Sequence, residues 1–176
     1  MATQTYTVDP SHSDIGFSVR HLVVSRVRGH FAQWTAQLEL DTDDLSKSSV
    51  SVEVDVASID TKSADRDTHL RSADFFDVEN HPKATFRSTR FEPVGGSNYR
   101  IHGDLTLRGV TRPVVLDTEF NGQSTSPWGQ QVVGFSASTE LNRNDFGLNW
   151  NKALETGGVL VGENIKIDIE LEASKA

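Results

Sequence analysis

Apolar and polar side chains alternate along most of this chain. Ile15, Phe17 and Val19 open the pattern, followed by Ala32, Trp34, Ala36, Leu38 and Leu40. Val50, Val52, Val54 and Val56 continue it, then Tyr99, Ile101, Leu105 and Leu107, then Val114, Leu116 and Phe120. Val133, Phe135, Ala137 and Leu141 come next, and Ile165, Ile167, Ile169 and Leu171 close the series. A period of two gives each segment one buried and one wet face, as in antiparallel sheet. Residues 83–91, around Phe86, form a further strand with weaker alternation, making eight in all. Turn residues separate the runs at 41–47, 93–98, 108–113, 121–129 and 157–158.

The pattern stops between Asp60 and Val78. Thr61 or Ser63 can cap a helix there, with Asp65 and Asp67 in its first turn. Asp67 and Arg71 have the i, i+4 spacing of a helical ion pair. Ser72 to Phe76 can start a second short helix. Pro82 returns the chain to strand. The expected fold is therefore all-β: an eight-stranded antiparallel up-and-down barrel with a short helical insert near residues 61–78, forming one domain over 1–176. Short sequential connections favour the barrel over a sandwich. Small residues on the apolar phase (Ala32, Ala36, Gly103, Thr118, Ala137, Thr139) leave room for a ligand, or else admit a close-packed helix or match a taper. Gly29 lies where the inward phase changes from Phe31 to the even-numbered run, so a bulge is expected there.

Composition agrees with strand, with 18 Val and 6 Ile against 13 Leu. The 176 residues suffice to bury a core without cross-links, and no cysteine is present to form any. The net charge of −8 disfavours nucleic acid and anionic lipid surfaces as partners. No run approaches the length of a membrane helix. Met1 to Pro10 carries no Lys, no Arg and no apolar run, so no secretory leader is read and a cytoplasmic location is expected.

Six histidines occur without His-x-His or His-Glu-x-x-His spacing, and no metal is expected. No nucleophile elbow and no glycine-rich phosphate loop is present. Three polar clusters stand out: Asp9-Pro10-Ser11-His12-Ser13, Asp65-Arg66-Asp67 with His69, and Arg143-Asn144-Asp145-Phe146-Gly147. Each serves either as turn closure and capping or as part of a polar ring at a barrel mouth. Of Phe75 and Phe76, helical geometry lets one plug the barrel while the other packs on a strand.

The same clusters carry a resemblance. The chain resembles the YceI-like family of lipocalin-like proteins in Val8-Asp9-Pro10-Ser11-His12-Ser13, Arg66-Asp67-x-His69-Leu70, Asp74-Phe75-Phe76-Asp77, Leu105-Thr106-Leu107-Arg108-Gly109-Val110-Thr111 and Arg143-x-Asp145-Phe146-Gly147. The blocks run in family order from residue 6 to about 171. The resemblance implies an eight-stranded barrel with a long hydrophobic interior. It implies a bound amphiphile, typically a polyisoprenoid such as an isoprenoid quinone or prenyl pyrophosphate, held for carriage, storage or sequestration.

On that reading the lining is Ile15, Phe17, Trp34, Val52, Val54, Phe86, Ile101, Leu105, Leu116, Phe135, Phe146 and Ile167, with Phe75 and Phe76 at one end. The head-group candidates are His12, Ser13, Arg66, Asp67, His69, Arg143 and Asp145. Arg66 and Arg143 suit an anionic head. The protein is expected not to be an enzyme and to need no cofactor beyond its lipid. Two alternatives stand: an enzyme using Asp67, His69 and Asp145 on the head group, or a packed barrel acting as a stress-response scaffold. A homodimer through outer strand faces is compatible with the pattern, though no residue nominates the interface.

Overall fold

The computed structural model describes residues 3–22, 24–151 and 161–176. Twelve elements follow one another: β1 (Gln4–Val8), β2 (Asp14–His21), β3 (Ser25–Phe31), β4 (Trp34–Leu40), β5 (Ser49–Asp55), β6 (Ile59–Asp60), α1 (Ala64–Arg71), β7 (Lys83–Gly95), β8 (Asn98–Leu107), β9 (Val110–Thr125), β10 (Gln131–Asn142) and β11 (Val161–Lys175). Every strand pairing is antiparallel, and β1 meets β11 to close the sheet on itself.

The eight expected staves are present, but two of them are bent. β1 and β2 occupy one position, both pairing with β11 (Tyr6 opposite Lys175, Phe17 opposite Ile167). The Pro10–His12 helical turn interrupts them, capped by the Asp9 side chain, which accepts from Ser11 N at 2.9 Å. β3 and β4 form the next stave, β3 lying on β2 and β4 on β1 and β5. The inward phase reverses at Ala32–Gln33, not at a bulge on Gly29. There Ala32 N donates to Ser58 O and Gln33 N to Ser58 Oγ, so the chain leaves the ladder for two residues. Gly29 is regularly paired with Phe17, and its missing side chain makes room for that ring: a Cβ on Gly29 would lie 2.6 Å from Phe17 Cζ.

The weak alternation of β7 has a similar origin. A register shift between Ser88 and Arg90 moves the inward phase from Phe86 to Phe91. The β8–β9 connection is a tight hairpin with Arg108 and Gly109 both at positive φ, 52° and 73°, the conformation whose twist suits paired strands.

Ser63 caps α1, its hydroxyl accepting from Arg66 N. The expected Asp67–Arg71 ion pair does not form. Buried Asp67 instead accepts from Thr61 N at 3.0 Å and Thr61 Oγ1 at 2.5 Å, while Arg71 Nε donates to Ala57 O. Both side chains pin the helix to the strand before it, which satisfies a buried carboxylate better than a solvated cation would. No second helix follows; residues 73–80 run through turns, with Asp77 at φ 49°.

Tyr6, Leu45, Val133 and Ala173, each at most 3% exposed, fill the barrel end away from α1. Leu45 belongs to a short helical turn (Leu45–Lys47) that tucks under this end. No helix of the described residues is long and apolar enough to cross a membrane.

Candidate functional site

The barrel is hollow above that plug. One cavity of about 170 Å³ occupies the middle of the barrel, with walls from every full-length stave. Among the described residues, Thr118 and Thr139 are the only hydroxyl-bearing side chains on its wall. A second cavity of about 410 Å³ continues toward α1. Ile15, Phe31 and Ile167 belong to both walls, so the two cavities adjoin there, at a waist. Exposed Asp65, Arg66 and Arg20 line the second cavity, which therefore reaches the surface at the α1 end.

Thirteen of the fourteen predicted lining residues fall on these walls. Phe146 is the exception. It lies in the helical turn Arg143–Phe146, only 2% exposed, and packs with Phe75, Leu141 and Leu148 behind the wall. It braces the cavity end without touching the space. Phe75 and Phe76 both face the second cavity. Phe76 meets Phe31 edge-on, with centroids 6.1 Å apart, while Phe75 packs against Trp150.

The small residues divide by neighbour. Thr118, Ala137 and Thr139 border the central cavity and keep it open. Gly103 does not: the Phe86 ring lies over it, and a Cβ there would meet Phe86 Cζ at 2.4 Å.

The polar candidates separate more sharply. Arg66, His69 and Arg143 reach the second cavity, while Asp67, His12, Ser13 and Asp145 do not. Arg66 donates from Nε and Nη2 to Thr61 Oγ1 and O, at 2.7 and 2.6 Å, which fixes its guanidinium at the mouth. His69 Nε2 contacts Asp74 Oδ2 at 2.8 Å, and the ring stands edge-on to Trp150 and Phe75.

Arg143 requires a correction. Its guanidinium donates to the carbonyls of Leu148, Trp150, Val161 and Gly162 at 2.6–3.3 Å. Burial also pushes its pKa below the usual arginine value. It is a structural clamp, with its donors committed to the protein. It joins the two sides of the 152–160 connection, of which Gly157–Gly158, expected as a turn, lies outside the described residues.

His12 and Ser13 sit on the outer wall. Ser13 Oγ donates to Glu172 O and accepts from Glu172 N, stitching the bent stave to β11. His12 Nδ1 lies 2.9 Å from Asp9 Oδ2 and 3.1 Å from Glu172 Oε2. The hydrogen bond to Asp9, and then the Glu172 charge, raise the His12 pKa above its ordinary value. Hydrogen bonds from Ser11 and His12 hold Asp9 down at about 2. These three residues also bring their ligand atoms within 4.8 Å of one another, as a metal site would, but their mutual pairing already accounts for the arrangement. Asp145 is exposed, and its carbonyl accepts from Arg112 Nε. Asp67, His69 and Asp145 thus do not converge on one point.

Sequence reasoning missed Trp150 and His21 at the second cavity, while Asp65 came from the polar cluster it did single out. Trp150 lies in an irregular segment with no periodicity to expose it.

Comparison with known proteins agrees with this architecture. A family model described as the YceI-like domain matches residues 6–173. A UPF0312 protein of Staphylococcus epidermidis is 44% identical over 170 residues, 96% of each chain. The crystal structure of a Campylobacter jejuni YCEI protein superposes with a TM-score of 0.78 at 31% identity, covering 97% of this chain and 98% of that one. A polyisoprenoid binding domain from Saccharophagus degradans, implicated in plant cell wall breakdown, shares the fold at a TM-score of 0.73 and 14% identity, over 98% and 99% of the two chains. A hollow eight-stave barrel, a family match over nearly its whole length and a relative this similar end to end lead to one conclusion: the chain belongs to the YceI-like family.

Proposed function

We propose that the protein binds a long-chain amphiphile, a polyisoprenoid such as an isoprenoid quinone or prenyl pyrophosphate, and carries, stores or sequesters it without chemical change. The observation that carries this reading is the waist at which the two cavities adjoin. Ile15, Phe31 and Ile167 line both, so an almost wholly apolar inner space lies next to an outer one that carries polar groups. That shape suits a long tail with a polar head near Arg66 and His69. A polyisoprenoid-binding domain with the same fold is consistent with it.

The energetics are sufficient. At ~0.3 kcal/mol per heavy atom, a tail of about 40 carbons reaches about 12 kcal/mol, or roughly nanomolar affinity. Tail contacts are non-directional, so the tail sets affinity and the mouth sets identity.

Filling the waistward half of the barrel tests the reading. Ala137 faces the central cavity from β10. Ala137→Trp should weaken uptake of the fluorescent fatty acid cis-parinaric acid by at least about tenfold, because displacing two methylenes already forfeits ~1.6 kcal/mol. The void should accept the ring without loss of cooperative melting, and Ala137→Leu should give an intermediate effect. Unchanged uptake in both variants contradicts a ligand in this cavity.

A further inference from the structure

The β2–β3 hairpin combines features that its structural role does not require. Its inner face is part of the second cavity, through Phe17, Val19, His21 and Val27. Side chains alternate along a strand, so Arg26 and Arg28 stand on the opposite face and are exposed, as is Arg20, which also borders the rim of the second cavity. Arg20 and Arg26 are directly opposite each other in the ladder. Among the described residues, no side-chain hydrogen bond or ion pair engages Arg26 or Arg28. No acidic residue occurs anywhere from Ile15 to Leu38, in a chain whose net charge is −8. At the base of the hairpin, Asp14 and Asp60 lie 3.6 and 3.7 Å from His30.

The tip is apolar. Val24 is 85% exposed and Leu22 39%. Beyond His30 and Phe31, which pair with β6, the outer edge of β3 has no strand partner among the described residues. Edge protection explains charges on such a strand, but it favours a polar tip. An apolar tip flanked by arginines matches an anionic bilayer, with the tip among the acyl chains and the cations at the phosphates. Trp128 is as exposed as Val24, yet it lies at the opposite barrel end in a stretch, 121–131, without Lys or Arg.

We infer that the β2–β3 hairpin docks the protein on an anionic lipid surface, with the mouth of the second cavity against the bilayer. Docking there gives an insoluble ligand a path from bilayer to barrel without crossing water. This rests on the amphiphile-binding reading for its purpose, though not for its evidence. The overall negative charge does not oppose it, since at physiological ionic strength charges more than about 8 Å from the surface are largely screened.

The chain has no cysteine, so Val24→Cys carries a single environment-sensitive dye. The dye should shift to the blue with vesicles of phosphatidylcholine mixed with phosphatidylglycerol. It should not respond to phosphatidylcholine alone, and added salt should reverse the shift. In otherwise native protein, Arg26→Gln and Arg28→Gln should each weaken co-sedimentation with the mixed vesicles by about fivefold. Both variants should take up cis-parinaric acid in vesicle-free buffer as the native protein does. A silent dye at position 24, or a Trp128→Cys dye that responds in its place, overturns the inference. So does retention on immobilised polyglutamate combined with indifference to vesicles, which makes the partner an acidic protein. Native protein that docks on vesicles yet takes up no parinaric acid contradicts the amphiphile reading and leaves the docking surface standing.

Discussion

Replacing Arg143 with methionine is expected to destabilise the protein by about 3–5 kcal/mol, the largest effect of any single substitution considered for this fold. The side chain donates to the carbonyls of Leu148, Trp150, Val161 and Gly162, of which Val161 O also accepts from Asn151 Nδ2 at 2.7 Å. Charge-assisted hydrogen bonds contribute about 1.5–3 kcal/mol each, and an orphaned buried acceptor costs about 1–3 kcal/mol, with partial relaxation reducing the sum. Methionine fills much of the volume but offers no donor. Lysine keeps the charge but lacks the planar fork that reaches carbonyls on both sides, so Arg143→Lys should fall between. In a domain of this size each kcal/mol moves the melting temperature by about 2–4 °C, so calorimetry should show a drop of about 6–20 °C for Arg143→Met. A drop of only a degree or two would mean that the clamp is not structural. Trp150 offers a second readout. Its carbonyl is held by Arg143 and its ring packs on His69 and Phe75, so its fluorescence should report a loosened cavity end.

The second large effect reverses a familiar rule. Glycine to alanine within a strand ordinarily stabilises or is neutral, because glycine has more entropy to lose. Gly103→Ala should destabilise by about 2–3 kcal/mol. The added Cβ would lie 2.4 Å from Phe86 Cζ and 2.6 Å from Arg87 O. A ring tip can move, but the carbonyl belongs to the neighbouring strand, and overpacking against backbone costs about 1–3 kcal/mol or more. Gly134→Ala is the matched control. Its nearest neighbour is Asn121 Cβ at 3.5 Å, an ordinary contact, so its stability should stay within about 0.5 kcal/mol of the native protein. Chemical denaturation of both variants checks the pair; equal midpoints would show that Phe86 does not lie over Gly103.

These two residues also show how far the sequence could be read. The barrel was legible because a closed antiparallel sheet with one buried face imposes alternation, and the runs from Val50 to Leu171 obey it except in β7, where the register shifts between Ser88 and Arg90. The kinks were less so. The phase change near Gly29 was visible, but its position depended on Ser58, a residue 25 positions away that catches Gln33. Gly103 and Ala137 look equivalent as small residues on an apolar phase. One is covered by Phe86 and the other borders space, a difference set by a ring on the neighbouring strand. Arg143 looked like a head-group ligand because a cation in a polar block suits an anionic head, and its carbonyl partners carry no sequence signature. Arg66 and His69 were legible because one short helix carries both and its cap residues were readable. Trp150 was not, because nothing periodic surrounds it.

The account depends on the cavity holding a long-chain molecule. Native mass spectrometry of the freshly purified protein, followed by solvent extraction, tests this most directly. The expected spectrum shows a stoichiometric adduct above the mass of the 176-residue chain, and extraction releases a long-chain amphiphile with a polar head. A protein that flies at its bare mass, and stays so after incubation with added polyprenyl lipids, would contradict the central claim.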